Sequence, residues 1–275
     1  MSKNLLDLTG KVAVVTGAGA NGGVGHALAM GFAQHGADIV VADIDDEGAK
    51  ITGEEIEALG RKAIVVHCDV SNPEDVETLF AEVDKHFGKA DILVNIPFAM
   101  PSRVRPHELS LEAWDKTLSV SLTGYFLCAQ QAIRRMLKHG AGGCILNIGS
   151  IAGLSALGRG NFPYSVAKGG VNQLTKELAV EYAGQGIRVN AILPAQIRTP
   201  ALQALIDDPL FDSDRLIARF LAGIPLDRLL EPEDLVGAAV FLCSDSATAV
   251  TGVLLPVDGG NLALNAGGSK TWPTE

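Results

Sequence analysis

Short, almost uninterrupted apolar runs alternate along this chain with segments of helical periodicity, and that alternation restricts the fold more than any other feature. The runs are KVAVVT (11–16), DIVVAD (38–43), KAIVVH (62–67), DILVN (91–95), CILNI (144–148), IRVNAIL (187–193) and GVLLPV (252–257). A strand without apolar–polar alternation is covered on both faces, and strands separated by helices join in parallel through right-handed crossovers. Helix patterns lie between the runs at 24–35, 45–59, 73–87 and 110–139. Another carries Tyr164 and runs to Tyr182, with an apolar stripe of Ala167, Val171, Leu174, Leu178 and Tyr182. The expected class is α/β: a single-domain doubly wound parallel sheet of about seven strands with helices on both faces. With 275 residues, 47% hydrophobic and 20% charged, one domain can span 1–275. The stretch from Pro194 to Leu230 has the weakest periodicity and reads as a substrate lid at about 195–230, and residues 262–275 read as a polar C-terminal tail.

Two places in this pattern can carry chemistry. TGAGANGGVG (16–25) sits between the first run and the first helix pattern, where open parallel sheets bind ligands at the carboxyl ends of their strands. Glycines there allow a tight turn and close approach to a diphosphate, and the following helix offers free N–H groups. Two registers compete, Gly17–Gly19–Gly22 and Gly17–Gly23–Gly25; the second is preferred because it sets its last two glycines at the helix start. Asp43 ends the second run, where a carboxylate accepts hydrogen bonds from ribose hydroxyls and repels a 2′-phosphate. Ile44, Asp45, Asp46 and Glu47 follow it without a cation, so the expected cofactor is NAD rather than NADP. Asp69 can accept from an adenine amino group or cap the next helix. The second place runs from Ser150 to Lys168. On a helix Tyr164 and Lys168 are i and i+4, so phenol and ammonium share a face, and a nearby cation favours the phenolate.

Composition narrows the partners. A net charge of -10 with no basic run argues against nucleic acid. Cys68, Cys128, Cys144 and Cys243 show no CxxC spacing and no His pair has zinc-site spacing, so neither a disulfide framework nor a metal site is expected. The absence of a signal-peptide core and of any apolar run of 18 residues leads to an expectation of no membrane partner and a cytoplasmic location.

From about Leu8 to Asn261 the chain resembles the short-chain dehydrogenase/reductase family, on motifs that agree in order and spacing. The family's TGxxxGxG is similar to Thr16, Gly17, Gly23 and Gly25, its acidic NAD selector to Asp43, and its adenine-site Asp-Val to Asp69 and Val70. Its Ser and YxxxK resemble Ser150, Tyr164 and Lys168, its sixth-strand proline Pro194, and its nicotinamide-contacting threonine Thr199. Asn21, Gly22, Val24, Ile44, Asn95 and Ile197 flank these motifs and complete the expected cofactor set. The resemblance implies a Rossmann-like fold and a hydride transfer between nicotinamide C4 and a substrate carbon. Tyr164 would exchange the hydroxyl proton, Ser150 would hold the carbonyl oxygen, and Lys168 would hold the ribose and lower the Tyr164 pKa.

The chain also departs from the family pattern. Its Gly-rich loop is two residues longer; Asn95, Ile96, Pro97 and Phe98 stand where the family has Asn-Asn-Ala-Gly; Ser121 stands at the proton-relay asparagine; and Ala195 replaces a glycine after Pro194. Ser121 is expected to keep the water relay through a rearranged network. Loops after the fourth, fifth and sixth strands supply the candidate substrate contacts Phe98, Arg103, Arg159, Asn161 and Gln196, with Met100, Arg105, Ser155 and Arg198 nearby. Four arginines bordering one cleft point to a polar or anionic substrate such as a sugar, polyol or sugar acid. The leading reading is an NAD-dependent alcohol or polyol dehydrogenase. Its rivals are a 3-oxoacyl reductase, which would want NADPH and a basic residue near Asp43, and a non-catalytic dinucleotide-binding sensor or structural subunit. The family's habit implies a homotetramer or homodimer built on the two long helices, where Ala167, Gly169 and Gly170 permit close approach.

Overall fold

The computed structural model describes residues 4–19, 21–99, 104–158, 160–208, 210, 212–265 and 269–270. Its strands are β1 (Val12–Thr16), β2 (Asp38–Asp43), β3 (Ala63–His67), β4 (Ile92–Asn95), β5 (Gly143–Ile148), β6 (Ile187–Pro194) and β7 (Leu254–Val257). They form one sheet in the order β3-β2-β1-β4-β5-β6-β7, and every pairing is parallel. Each apolar run became a strand. The last one starts later than its pattern, because Gly252 turns the chain with a φ of 77° before Leu254 joins the sheet.

The helices are α1 (Val24–Gln34), α2 (Asp46–Ala58), α3 (Pro73–Phe87), α4 (Leu111–Leu118), α5 (Gly124–His139), α6 (Phe162–Tyr182), α7 (Pro200–Ile206), α8 (Ser213–Leu221) and α9 (Val236–Cys243). Successive strand residues feed opposite layers, as the two-residue repeat of a pleated strand requires. Ala13 and Val15 of β1 pack with Leu28 and Phe32 of α1 and Leu242 of α9, whereas Val12 and Val14 pack with Leu79 and Phe80 of α3 and Ile133 of α5. The sheet is thus covered on both faces.

The segment expected to be helical over 110–139 is interrupted by a π turn at Ser119–Thr123, which separates α4 from α5. Gly124, just after it, lies so close to Val70 that a Cβ would stand 2.7 Å from Val70 Cγ2. The stretch expected to form the lid is less irregular than its sequence pattern. Thr199 caps α7 by accepting from the Leu202 N–H at 3.3 Å, and Asp212 caps α8 by accepting from the Arg215 N–H at 3.1 Å. α7 is too short for a 3.6-residue repeat to stand out, whereas α8 carries a two-turn apolar stripe of Leu216, Ile217, Phe220 and Leu221 that the sequence reading passed over. Lys270 of the tail donates to the Leu221 carbonyl at 2.9 Å and pairs with Asp227, while the Asn261 amide donates to the Gly223 carbonyl at 2.6 Å. Chain beyond β7 therefore grips the second half of the lid.

Strand order reverses between β1 and β4, which opens a crevice at their carboxyl ends. Gly17 takes a φ of 74° there, and Gly25, in the first turn of α1, packs against its backbone. A Cβ on Gly25 would stand 1.9 Å from the Gly17 carbonyl oxygen, and one on Gly19 2.8 Å from the Asp45 carbonyl oxygen, so glycines of both registers sit at close backbone approaches. Gly25→Ala should therefore cost about 1–3 kcal/mol of stability through overpacking. A lowered urea midpoint would show it; an unchanged midpoint would mean that the crevice floor yields.

Candidate active site

Ser150 follows β5 directly, and α6 opens at Phe162 with Pro163 in its first turn, where a missing N–H is harmless. Ser150 Oγ accepts from the Ala152 N–H at 3.1 Å, and Ser150 acts on the Tyr164 phenol to favour its ionised form. The ring of Phe98 meets Tyr164 edge-on, with centroids 5.8 Å apart at 71°, so the departure after β4 builds a wall beside the phenol. One turn further along α6, Lys168 is 1% exposed. Its Nζ donates to the Ile148 carbonyl at 2.7 Å and to the Tyr125 hydroxyl at 2.8 Å, and lies 5.7 Å from the centroid of the Tyr164 ring.

Burial governs both titrations. It pushes the Lys168 ammonium down to about 7, and it pushes the Tyr164 phenol up, opposed by the hydrogen bond from Ser150. The expected lowering of Tyr164 by Lys168 is not a property of the chain alone, because the ammonium is drawn to Ile148 and Tyr125. Ser121 is fully buried, and its Oγ accepts from the Ala99 N–H at 3.1 Å, tying the π turn to the loop after β4. The side chain that reaches Lys168 from this helix is Tyr125, one turn further on.

On the nucleotide side, the Gly19 N–H donates to Asp43 Oδ2 at 2.7 Å and the Asp45 N–H to Oδ1 at 3.0 Å, so the carboxylate is locked at the end of β2. Beside it Ile44 is largely exposed. The lengthened loop is absorbed against α2: a Cβ on Gly48 would stand 1.7 Å from the Gly19 carbonyl oxygen, and the Thr52 hydroxyl donates to the Ala18 carbonyl at 2.8 Å. Asn21 and Gly22 are exposed at its tip, and Gly23 precedes Val24 and Gly25 at the start of α1 without a capping side chain. The unfilled N-terminus, the missing Cβ atoms and the fixed acid fit a dinucleotide.

Other members of the expected set have additional or different roles. Asp69 Oδ1 accepts from the N–H and hydroxyl of Ser71 at 2.8 and 2.7 Å, while Asn72 is the cap of α3. Val70 is buried beneath Gly124. Asn95 is buried and donates to Asn147 Oδ1 at 3.0 Å, so its amide braces β4 against β5 instead of facing the crevice. Pro194 ends β6, Ile197 pairs with Leu230 across the lid, and Thr199 caps α7.

A protein-family model described as enoyl-(acyl carrier protein) reductase matches residues 17–261. Over 256 residues the chain is 39% identical to glucose 1-dehydrogenase 2 of Bacillus subtilis (strain 168), covering 92% of this chain and 95% of that one. The chain belongs to the short-chain dehydrogenase/reductase family. This short-chain dehydrogenase/reductase is also 38% identical, over 254 residues, to D-threitol dehydrogenase of Mycolicibacterium smegmatis, with 92% of this chain and 93% of the other covered. The structure of a gluconate 5-dehydrogenase from Burkholderia cenocepacia J2315, in complex with NADP and tartrate, superposes with a TM-score of 0.85 at 33% identity, covering 95% of this chain and 99% of that chain.

In this short-chain dehydrogenase/reductase the candidate substrate residues separate. Phe98 is 48% exposed beside Tyr164, and Gln196 carries a buried Oε1 with no protein partner among the described residues. Asn161 lines a cavity of about 490 Å³ together with Arg105, Phe162 and Ser165. Arg198 leaves the argument for an anionic substrate: its Nε pairs with Glu231 at 3.1 Å and its Nη1 donates to Gln203 Oε1 at 3.0 Å. Ser155 closes its own turn by donating to the Ile151 carbonyl at 3.1 Å. Met100, Arg103 and Arg159 lie outside the described residues. Sequence reasoning missed Tyr125, because its bond to Lys168 joins residues 43 apart in the chain.

Proposed function

We propose that this dehydrogenase/reductase is NAD-dependent and reversibly oxidises a secondary alcohol of a small polar substrate, such as a sugar, polyol or sugar acid, with Ser150, Tyr164 and Lys168 at its centre. The observation that carries this reading is the buried Lys168, its Nζ 5.7 Å from the centroid of the Tyr164 ring, beside a phenol whose ionisation Ser150 favours. When bound, the nicotinamide supplies the hydride acceptor or donor. Tyr164 takes the hydroxyl proton during oxidation and returns it during reduction, while Ser150 holds the substrate oxygen by a hydrogen bond. Lys168 holds the ribose and offers positive charge to the phenolate. Asp43 supports NAD, because a 2′-phosphate would meet a carboxylate already fixed by two backbone N–H groups with no cation following it. Glucose and threitol in the names of its relatives support the substrate class.

Leu111, Phe126, Phe162 and Val166 are exposed on α4, α5 and α6, which supports a homotetramer or homodimer formed through these helices. All four cysteines are free and buried, in keeping with a reducing cytoplasm, and no helix among the described residues is long and apolar enough to cross a membrane. The test is NADH formation from a panel of aldoses, polyols, sugar acids and hydrophobic secondary alcohols, run with NAD and with NADP. The polar panel with NAD is expected to give the highest kcat/KM. A steroid or long-chain alcohol reacting best would overturn the substrate class, and NAD binding without turnover of any member would favour a sensor.

A further inference from the structure

Lys168 is a buried cation whose stabilising partners are uncharged. Tyr125 of α5 and Ile148 of β5 surround its Nζ, and the Tyr125 hydroxyl itself donates to the Ile148 carbonyl at 3.0 Å. The three groups close a triangle with sides of 2.7, 2.8 and 3.0 Å, and Tyr125 is 1% exposed. With its single proton given to Ile148, the Tyr125 oxygen faces Lys168 as a pure acceptor. An ammonium has three N–H groups, so the triangle uses two and leaves one for the crevice.

We propose that Tyr125 is a positioning residue that holds the side chain of Lys168 in its charged form and in register with Tyr164. The inference rests on the reading of Tyr164 as the proton-exchanging group. Burial is the cause that pulls the Lys168 pKa down, and no ion pair opposes it. Hydrogen bonding to the charged form works in the other direction. The titratable groups around the triangle are Tyr164 on the same helix and Cys128 on α5, and burial pushes both Cys128 and Tyr125 towards their neutral forms. Tyr125 therefore stays a phenol across the working pH range and acts through Lys168 only.

The sign of the effect follows. Without the Tyr125 oxygen the ammonium loses an acceptor and gives up its proton at lower pH. In the holoenzyme Tyr164 then lacks a cationic neighbour over more of the range, and its own pKa rises. Tyr125→Phe keeps the ring and removes the oxygen. The acid limb of kcat/KM for alcohol oxidation should move up by about one pH unit, the shift that corresponds to one charge-assisted hydrogen bond. Titration of the Lys168 side chain in the ligand-free protein, read from its Cε resonance with Lys168→Met as the assignment blank, should show the ammonium losing its proton about one pH unit earlier. If Tyr125→Phe does not fold, 3-fluorotyrosine placed at 125 alone, a weaker acceptor of almost the same shape, should move both readouts in the same direction by less. A melting temperature that falls while both profiles stay on the wild-type curve would reduce Tyr125 to core packing and overturn the proposal. Full activity in Tyr164→Phe would instead overturn the reading on which it rests.

Discussion

Replacing Tyr164 with phenylalanine should lower turnover by about 10²- to 10⁴-fold, the usual contribution of a positioned proton-transfer group. The fold should persist. The ring keeps its edge-on contact with Phe98, and Ser150 keeps its bond to the Ala152 N–H, so the substitution removes a phenol and leaves its frame. Retained NAD binding by calorimetry, beside a collapsed kcat, would locate the loss in proton exchange. Turnover within tenfold of wild type would remove Tyr164 from the chemistry. The wild-type enzyme should also respond to pH with a definite sign. Burial raises the phenol, and oxidation needs the phenolate, so oxidation should speed up as pH rises towards that ionisation. Reduction needs the protonated phenol and should be favoured on the acid side.

Asp43→Asn should change which coenzyme is accepted. The amide can still accept from the Gly19 N–H, so the turn at the end of β2 has a partner, but the negative charge is gone. Relief of a like-charge contact of several kcal/mol, at 1.4 kcal/mol per decade, should reduce the NAD-over-NADP ratio of kcat/KM by about 100-fold. Most of that change should come from a lower KM for NADP. A ratio that does not move would mean that the lengthened glycine loop, and not the carboxylate, sets the preference.

Much of the scaffold was legible because a parallel strand buried on both faces has nowhere to put a polar residue. VAVV, IVVA and ILV therefore stand out as uninterrupted runs. The π turn at Ser119–Thr123 left no such mark, since one wide turn shifts the helical phase over too few residues to separate it from ordinary scatter in an apolar pattern. The two short helices between β6 and β7 were lost for different reasons: the 7 residues of α7 give too few turns for a stripe to show, and the stripe of the 9-residue α8 is confined to two turns inside a stretch of weak periodicity. Within the proposed site, Ser150, Tyr164 and Lys168 were readable as candidates on one segment, the last two from their spacing. Tyr125 was not, because its bond to Lys168 joins residues 43 apart through the meeting of α5 and α6. Arg198 shows the same limit. Four arginines in neighbouring loops resembled an anion site, but a count of charges does not reveal that Glu231, 33 residues away, already holds one of them.

The hold of Lys270 on Leu221 and Asp227 makes that part of the tail mechanically continuous with the proposed cover of the cleft. An affinity tag or fluorescent protein fused at that end would load the cover itself, whereas one fused ahead of β1 would leave it alone. Immobilisation for binding work therefore belongs at the amino end, and a loss of substrate affinity in a carboxyl-terminal fusion would report on the fusion before it reported on the enzyme.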